Sequence, residues 1–211
     1  VTFDDAIDVM EDEATEDIEK MAAITPTDKP YLKTGVWETF GKRIPWLLLL
    51  MVSATFTSGI INTFESALSH MVVLTAFIPM LMDTGGNAGG QSSVTIIRAL
   101  SLGDVEFRDI FRVIWKEIRV AVLCGVVLSG VNFGKILLFG ESGGSVAVAA
   151  VVSITLLITV IFAKMVGCIL PLLAKKVGFD PAVMASPFIT TVVDAISLLV
   201  YFNVAEAFLH L

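Results

Sequence analysis

Only two cysteines, Cys124 and Cys168, and two histidines, His70 and His210, occur in 211 residues. Both cysteines lie in apolar stretches, which reads as small inert hydrophobes rather than a disulfide or a metal pair. The histidines are far apart, near segment ends, and belong to no metal-ligating motif. A shortage of thiolate and imidazole near the polar motifs argues against Zn²⁺ or Cu⁺ as the main ion handled. The one strongly glycine-rich stretch lacks the G-x-x-x-x-G-K-[ST] pattern of phosphate loops, which excludes nucleotide binding there. Neither Asp83 nor Asp194 is preceded by the G-x-G of an intramembrane aspartyl protease, so the chain is not expected to be an enzyme. Basic residues are nearly absent at the start: residues 1–28 hold ten acids against Lys20 alone, a charge of −9. The remaining 183 residues hold eleven acids and thirteen basic residues, a charge of +2. Such a lead disfavours nucleic acid and anionic lipid and favours cations or a basic partner. No strongly apolar run precedes Pro45, so no cleavable signal peptide is expected.

What is present is apolar. The sequence is 55% hydrophobic, with a mean hydropathy of +0.84, which places it in a lipid bilayer. The expected fold is an all-α integral membrane protein: five transmembrane helices preceded by an acidic amphipathic helix and a short interfacial helix. Residues 1–34 form the acidic lead and residues 35–211 the membrane domain. Within the lead, Phe3, Ile7, Met10, Ala14 and Ile18 recur at helical spacing, and Thr15 offers a cap for a second helical piece. Ile24 to Thr34 reads as a linker, and Val36 to Ile44 as a helix lying on the membrane surface. Segment one runs from Pro45 to Phe64. Segment two, Ser69 to Leu100, is expected to be broken at DTGGNAGGQSS. Segments three to five run from about Arg119 to Phe139, Ser145 to Leu173, and Pro181 to Phe208. Gly125, Gly130 and Gly134 in segment three read as packing positions.

Loop charge sets the orientation. Lys33, Lys42 and Arg43 precede segment one. Arg98, Arg108, Arg112, Lys116 and Arg119 fall between two and three, and Lys175 and Lys176 between four and five. The alternate loops hold Glu65 and Glu141, with only Lys135 nearby. The N-terminus is therefore cytoplasmic and the C-terminus outside. Tyr201 and Phe202 would mark the outer interface. An odd number of segments cannot form two equal inverted halves, so a homodimer is the simplest way to enclose a path.

Two stretches carry the chemistry. In segment five, Ser186, Thr190 and Asp194 are four apart and share a helix face, which Ser197 and Tyr201 extend. Asp180 falls near the same side, about 20 Å along the axis. Pro187 would free the carbonyl of Val183. A carboxylate at membrane depth normally faces a partner or a water-filled path, so this stripe suits a cation. The alternative is that the hydroxyls bond their own backbone and Asp194 pairs with a lysine such as Lys164. In segment two, Asp83, Asn87 and Gln91 are also four apart, while the glycines either expose carbonyls to an ion or permit a tight helix crossing. In the lead, acids at helical spacing repel one another, which a divalent cation would relieve.

Three stretches, EDEATEDIEKMA, PMLMDTGGNAGGQ and DPAVMASPFITTVVDAISLLVYF, resemble in order the MgtE magnesium channels and transporters. The similarity covers essentially the whole chain and is most specific in the second and third stretches. It implies a homodimeric pore that carries Mg²⁺ into the cytoplasm across the cell (inner) membrane, gated by cytoplasmic Mg²⁺. A proton- or sodium-coupled carrier of another divalent cation is the alternative. The resemblance implies that Asp194 recognises hydrated Mg²⁺, that Thr190 and Ser186 touch its water shell, and that Asp180 sits at the cytoplasmic mouth. Ser186 stands where a related member has asparagine. Glu13, Glu16 and Asp17 match acids of a plug helix that closes the pore. Asp83, Gly85, Gly86, Asn87 and Gln91, with Pro187, Thr191 and Ser197, are the implied pore-lining positions. The lead then resembles the end of a regulatory CBS domain, and the chain looks like the membrane domain of a longer protein with weakened gating. Mg²⁺ dehydrates reluctantly, so a few spaced oxygens suit it better than a tight cage.

Overall fold

A computed structural model of the chain describes residues 2–27, 29–65, 69, 71–140, 143, 145–184 and 186–209. Asp28, His70, Glu141 and His210 lie outside the described residues. Among those described, the chain forms six α-helices and no strand: α1 (Phe3–Met21), α2 (Val36–Thr63), α3 (Ile78–Ser101), α4 (Ile110–Phe139), α5 (Val146–Val177) and α6 (Ser186–Leu209). Helices α2, α4, α5 and α6 are long and apolar enough to cross a membrane. Helix α3 has 24 residues and so is about 36 Å long, but its centre is glycine-rich and polar.

Local chemistry sets the ends. Thr2 and Asp5 form a reciprocal capping box on α1, with the Thr2 N–H 2.7 Å from Asp5 Oδ2. Phe3–Met21 is one continuous helix, so no second helical piece starts at Thr15. The Ser145 hydroxyl accepts from the Val148 N–H to start α5. Gly140 and Gly178 close α4 and α5 in the left-handed region, at φ 66° and 86°, where a Cβ would be strained.

Two expected interruptions are absent. The surface helix and segment one are a single helix, α2, running straight through Pro45. Proline removes one hydrogen bond and presses on the carbonyl four residues back, here that of Gly41, and membrane helices tolerate that loss. Segment two is likewise unbroken through DTGGNAGGQSS; it starts at Ile78, after a 3₁₀ turn at Val72–Phe77. Its glycines are filled from outside. A Cβ on Gly85 would meet Val193 and Thr159, one on Gly86 would meet Thr190, and one on Gly89 would meet Ile189 and the Ala163 carbonyl. Packing against neighbours thus outweighs the weak helix propensity of glycine, about 1 kcal/mol each.

Helix α5 is central and packs against α3, α4 and α6, while α3 also packs against α6. Leu81, Val152, Leu156, Val160, Ile189 and Val193 share this core. Helix α2 touches α6 and has no buried residue. Tyr201 and Phe202 do not mark an exposed interface; both are fully buried. The Tyr201 hydroxyl donates to the Leu74 carbonyl at 2.9 Å, and Phe202 stacks on Phe64 at 4.7 Å. Of the three expected packing glycines in α4, only Gly125 packs, against Leu157; Gly130 and Gly134 face open space.

Candidate functional site

Helix α6 begins at Ser186, which changes the expected polar stripe at its near end. Asp180 is not on this helix. It precedes a 3₁₀ turn at Pro181–Met184, where its carboxylate accepts from the Ala182 N–H at 2.9 Å. Pro187 lies in the first turn of α6, where an N–H would have no helical partner anyway, so it frees no mid-helix carbonyl. The Thr190 and Thr191 hydroxyls both donate to the Pro187 carbonyl, at 2.9 and 3.1 Å, and Ser197 donates to the Val193 carbonyl at 2.7 Å. Their protons are satisfied locally, and the half-buried Thr190 and Thr191 oxygens each keep a free lone pair. Ser197 is buried against Gly85, and Thr190 is half-buried against Gly86.

Asp194 is half-buried, and no basic side chain pairs with it among the described residues. Lys164, the lysine the sequence offers it, points elsewhere. Helix α3 packs against this stretch of α6, with Gly86 on Thr190 and Gly85 on Val193 and Ser197. Helix α3 has two unlike sides. Gly85, Gly86, Ala88, Gly89 and Gly90 are buried, whereas Asp83, Asn87 and Gln91 are exposed in one line. The Asn87 amide donates to Asp83 Oδ2 at 3.2 Å. An exposed acid–amide row at membrane depth is costly beside lipid, so it calls for water or a further protein surface. A cavity of about 560 Å³ opens next to it, between α3, α4 and α5, with Thr84, Asn87, Gln91 and Lys164 on its polar side.

One constellation escapes a reading of the sequence. Ser92 on α3 donates to Glu117 Oε2 at 2.7 Å, and Lys164 on α5 donates to Ser92 Oγ at 3.3 Å. All three are buried. Glu117 sits in a run with Arg112, Lys116 and Arg119 that reads as a loop, yet α4 begins at Ile110 and carries it inward. The one available signal is spacing: Val113, Glu117, Ala121 and Gly125 recur every four residues, and all are buried.

In the lead, Lys20 binds Asp180 Oδ2 at 2.6 Å and Glu16 in the preceding turn, and Ser101 reaches Asp17 at 3.5 Å. Helix α1 is thereby held against the Pro181–Met184 turn, with Met21 packed on Ile97 and Ala182. Glu13 is exposed and apart from this group. Among the described residues no cluster of three or more acid, histidine or cysteine ligands could hold a metal ion; the acids gather on the Lys20 ammonium instead.

Burial raises the Asp180 carboxyl, but the hydrogen bonds from Lys20 and Ala182 and the Lys20 charge outweigh it and leave it below its ordinary 3.8. The bonds to Asp180 and Glu16 hold the Lys20 ammonium above its ordinary 10.5. A lowered acid contributes above its ordinary value and is lost as pH falls through the lowered one; a raised lysine contributes below its ordinary value and is lost as pH rises through the raised one. Asp17 opposes the acid limb, since burial and the Asp180 charge raise it. Docking of α1 is therefore expected to hold from about pH 5 to about pH 9 and to loosen in stronger acid. Pulsed electron resonance between spin labels at Glu13 and Phe179 should give one narrow distance across that range. Lys20→Met should broaden it at neutral pH, and an unchanged distance in that variant would remove the ion pair as the tether.

A family profile described as MgtE, divalent cation transporter, matches residues 78–204. Three proteins named Magnesium transporter MgtE align with the whole chain. The one from Thermus thermophilus is 40% identical over 210 residues, which is 46% of its own length. The one from Bacillus subtilis is 38% identical over 214 residues, again 46% of its length. The one from Enterococcus faecalis is 34% identical over 210 residues, 45% of its length. The chain spans about half the length of each of these relatives.

Proposed function

We infer, since the chain belongs to the MgtE family of divalent cation transporters, that it moves Mg²⁺ through a water-lined path formed where α3 and α6 of two copies face each other. The observation that carries this reading is the exposed Asp83–Asn87–Gln91 row beside the unpaired, half-buried Asp194. A second copy would cover that row and bring two Asp194 carboxylates to one axis, as acidic rings do in cation channels. Thr190 and Thr191 lie below Asp194 on α6, and Ser186 opens that helix. The threonine oxygens and the helix backbone there suit the water shell of a hydrated ion.

The reading takes all five helices from α2 to α6 as spans, with α3 crossing despite its polar centre because its glycine side is sealed by α5 and α6. It places the protein in the cell (inner) membrane. The basic loops put α1 and the Pro181–Met184 turn on the cytoplasmic side, and an inside-negative membrane potential would draw Mg²⁺ inward. Residues 1–34 are then a cytoplasmic lead and residues 35–211 the pore domain. Helix α1 closes the mouth through the Lys20–Asp180 contact, and Glu13, Glu16 and Asp17 supply its sensitivity to cytoplasmic Mg²⁺.

Flux of Mg²⁺ into vesicles carrying the purified protein tests this. A flux that follows the Mg²⁺ gradient and ignores an imposed proton gradient is expected. A flux that needs the proton or sodium gradient would replace the channel by a coupled carrier, and no flux would remove Mg²⁺ transport.

A further inference from the structure

The buried chain of Ser92, Glu117 and Lys164 joins three helices and includes both signs of charge. Its members come from α3, α4 and α5, and none is more than 9% exposed. The hydroxyl of Ser92 is the link, donating to Glu117 at 2.7 Å and accepting from Lys164 at 3.3 Å. Such a group is expensive to bury and is not a cheap way to pack helices, since apolar residues of similar volume are often as stable or more so. Its location gives it something else to do. Lys164 lines the same cavity as Asn87 and Gln91, directly beside the exposed row of α3. A lone ammonium there would repel any cation passing that row, and repulsion acts over several ångströms where the dielectric is low.

We propose that Glu117, bridged by Ser92, is a positioning residue for cation passage that cancels the charge of Lys164 beside the polar row of α3. The proposal rests on the transport reading above. It makes the sign of the pair, rather than its mere presence, the functional quantity. Removing Lys164 takes away a positive charge, and the path gains no positive charge whether Glu117 stays ionised or takes up a proton. Removing Glu117 while keeping a permanent cation exposes the path to an uncancelled positive charge. Arginine serves for that purpose because it does not deprotonate in proteins.

The experiment compares Mg²⁺ flux in vesicles for the parent, Lys164→Met, Glu117→Gln with Lys164→Arg, and Glu117→Gln with Lys164→Met, each checked for folding by its melting temperature in detergent. Lys164→Met should carry at least the parent flux. The double variant Glu117→Gln with Lys164→Arg, which retains a cation and no acid, should lose at least about tenfold. The doubly neutral variant should return to within about threefold of the parent. Equal losses in the two double variants, or no loss in either, would overturn the proposal while leaving the transport reading intact. If the charged double variant does not fold, Lys164→Met decides alone: parent-like flux or more would support the proposal, and folded protein with a flux reduced tenfold would overturn it. An inactive parent would overturn the transport reading and this proposal with it.

Discussion

Gly167→Ala is expected to separate α3 from α5 and to lower the melting temperature more than any other single-methyl addition among the described glycines. A Cβ at Gly167 would fall on the Gly89 carbonyl oxygen, with the Gly89 Cα 3.2 Å away. The obstacle is backbone, so no rotamer change relieves it, and one of two helices must move. Overpacking of this kind costs about 1–3 kcal/mol in ordinary cores, and backbone contact belongs at or above the top of that range. The loss would spread, because Ala163 and Cys168 on α5 and Ala88 and Ser92 on α3, close to the contact, are also buried. Gly130→Ala and Gly134→Ala serve as controls, since nothing lies within 4 Å of a Cβ at either, and they should leave the melt unchanged. The measurement is thermal unfolding in detergent, followed by size exclusion. A Gly167→Ala variant that melts with its controls would mean that α3 and α5 do not cross at this point.

That contact also explains which parts of the fold are legible in the sequence. Apolar length is a one-dimensional property, and it locates α2, α4, α5 and α6 to within a few turns. Whether a glycine run breaks a helix depends on what lies opposite, and sequence does not state that Gly89 meets Gly167. The same limit hides the Ser92–Glu117–Lys164 chain. Glu117 among basic neighbours looks solvated, and only the burial of its four-residue series reveals that this face turns inward. Tyr201 is misread for a related reason: an aromatic near a helix end suits either a lipid interface or an internal bond, and the Leu74 carbonyl, 127 residues away, decides it. Counting alone puts Asp180 on α6, whereas Pro181 and Pro187 restrict the backbone and leave a 3₁₀ turn ahead of the helix proper. Asp194 and the Asp83–Asn87–Gln91 row are visible because an acid inside an apolar run demands an explanation wherever its neighbours turn out to be.

Asp194→Asn is expected to reduce Mg²⁺ flux by at least about 100-fold in vesicles where the parent conducts. The change keeps shape and removes charge, so it isolates the electrostatic contribution. A carboxylate and a divalent ion separated by one water, about 5 Å apart, attract by roughly 6–7 kcal/mol at an effective dielectric of about 20. Desolvation of the ion and of the carboxylate offsets much of this, but a remainder of about 2.7 kcal/mol already amounts to 100-fold. Asp194→Glu keeps the charge and moves it by about one carbon–carbon bond, so it should fall between parent and Asn, with a changed order among divalent ions because a hydrated ion is read by spacing. Asp83→Asn should cost less, roughly threefold to tenfold, since Asp83 is exposed and shares its charge with the Asn87 amide. The comparison between the two acids carries the decision. If Asp83→Asn lost as much as Asp194→Asn, the ion would be held by α3 and α6 jointly. If Asp194→Asn kept its flux within about threefold of the parent, the burial of Asp194 would be structural and the selective position would lie on the α3 row.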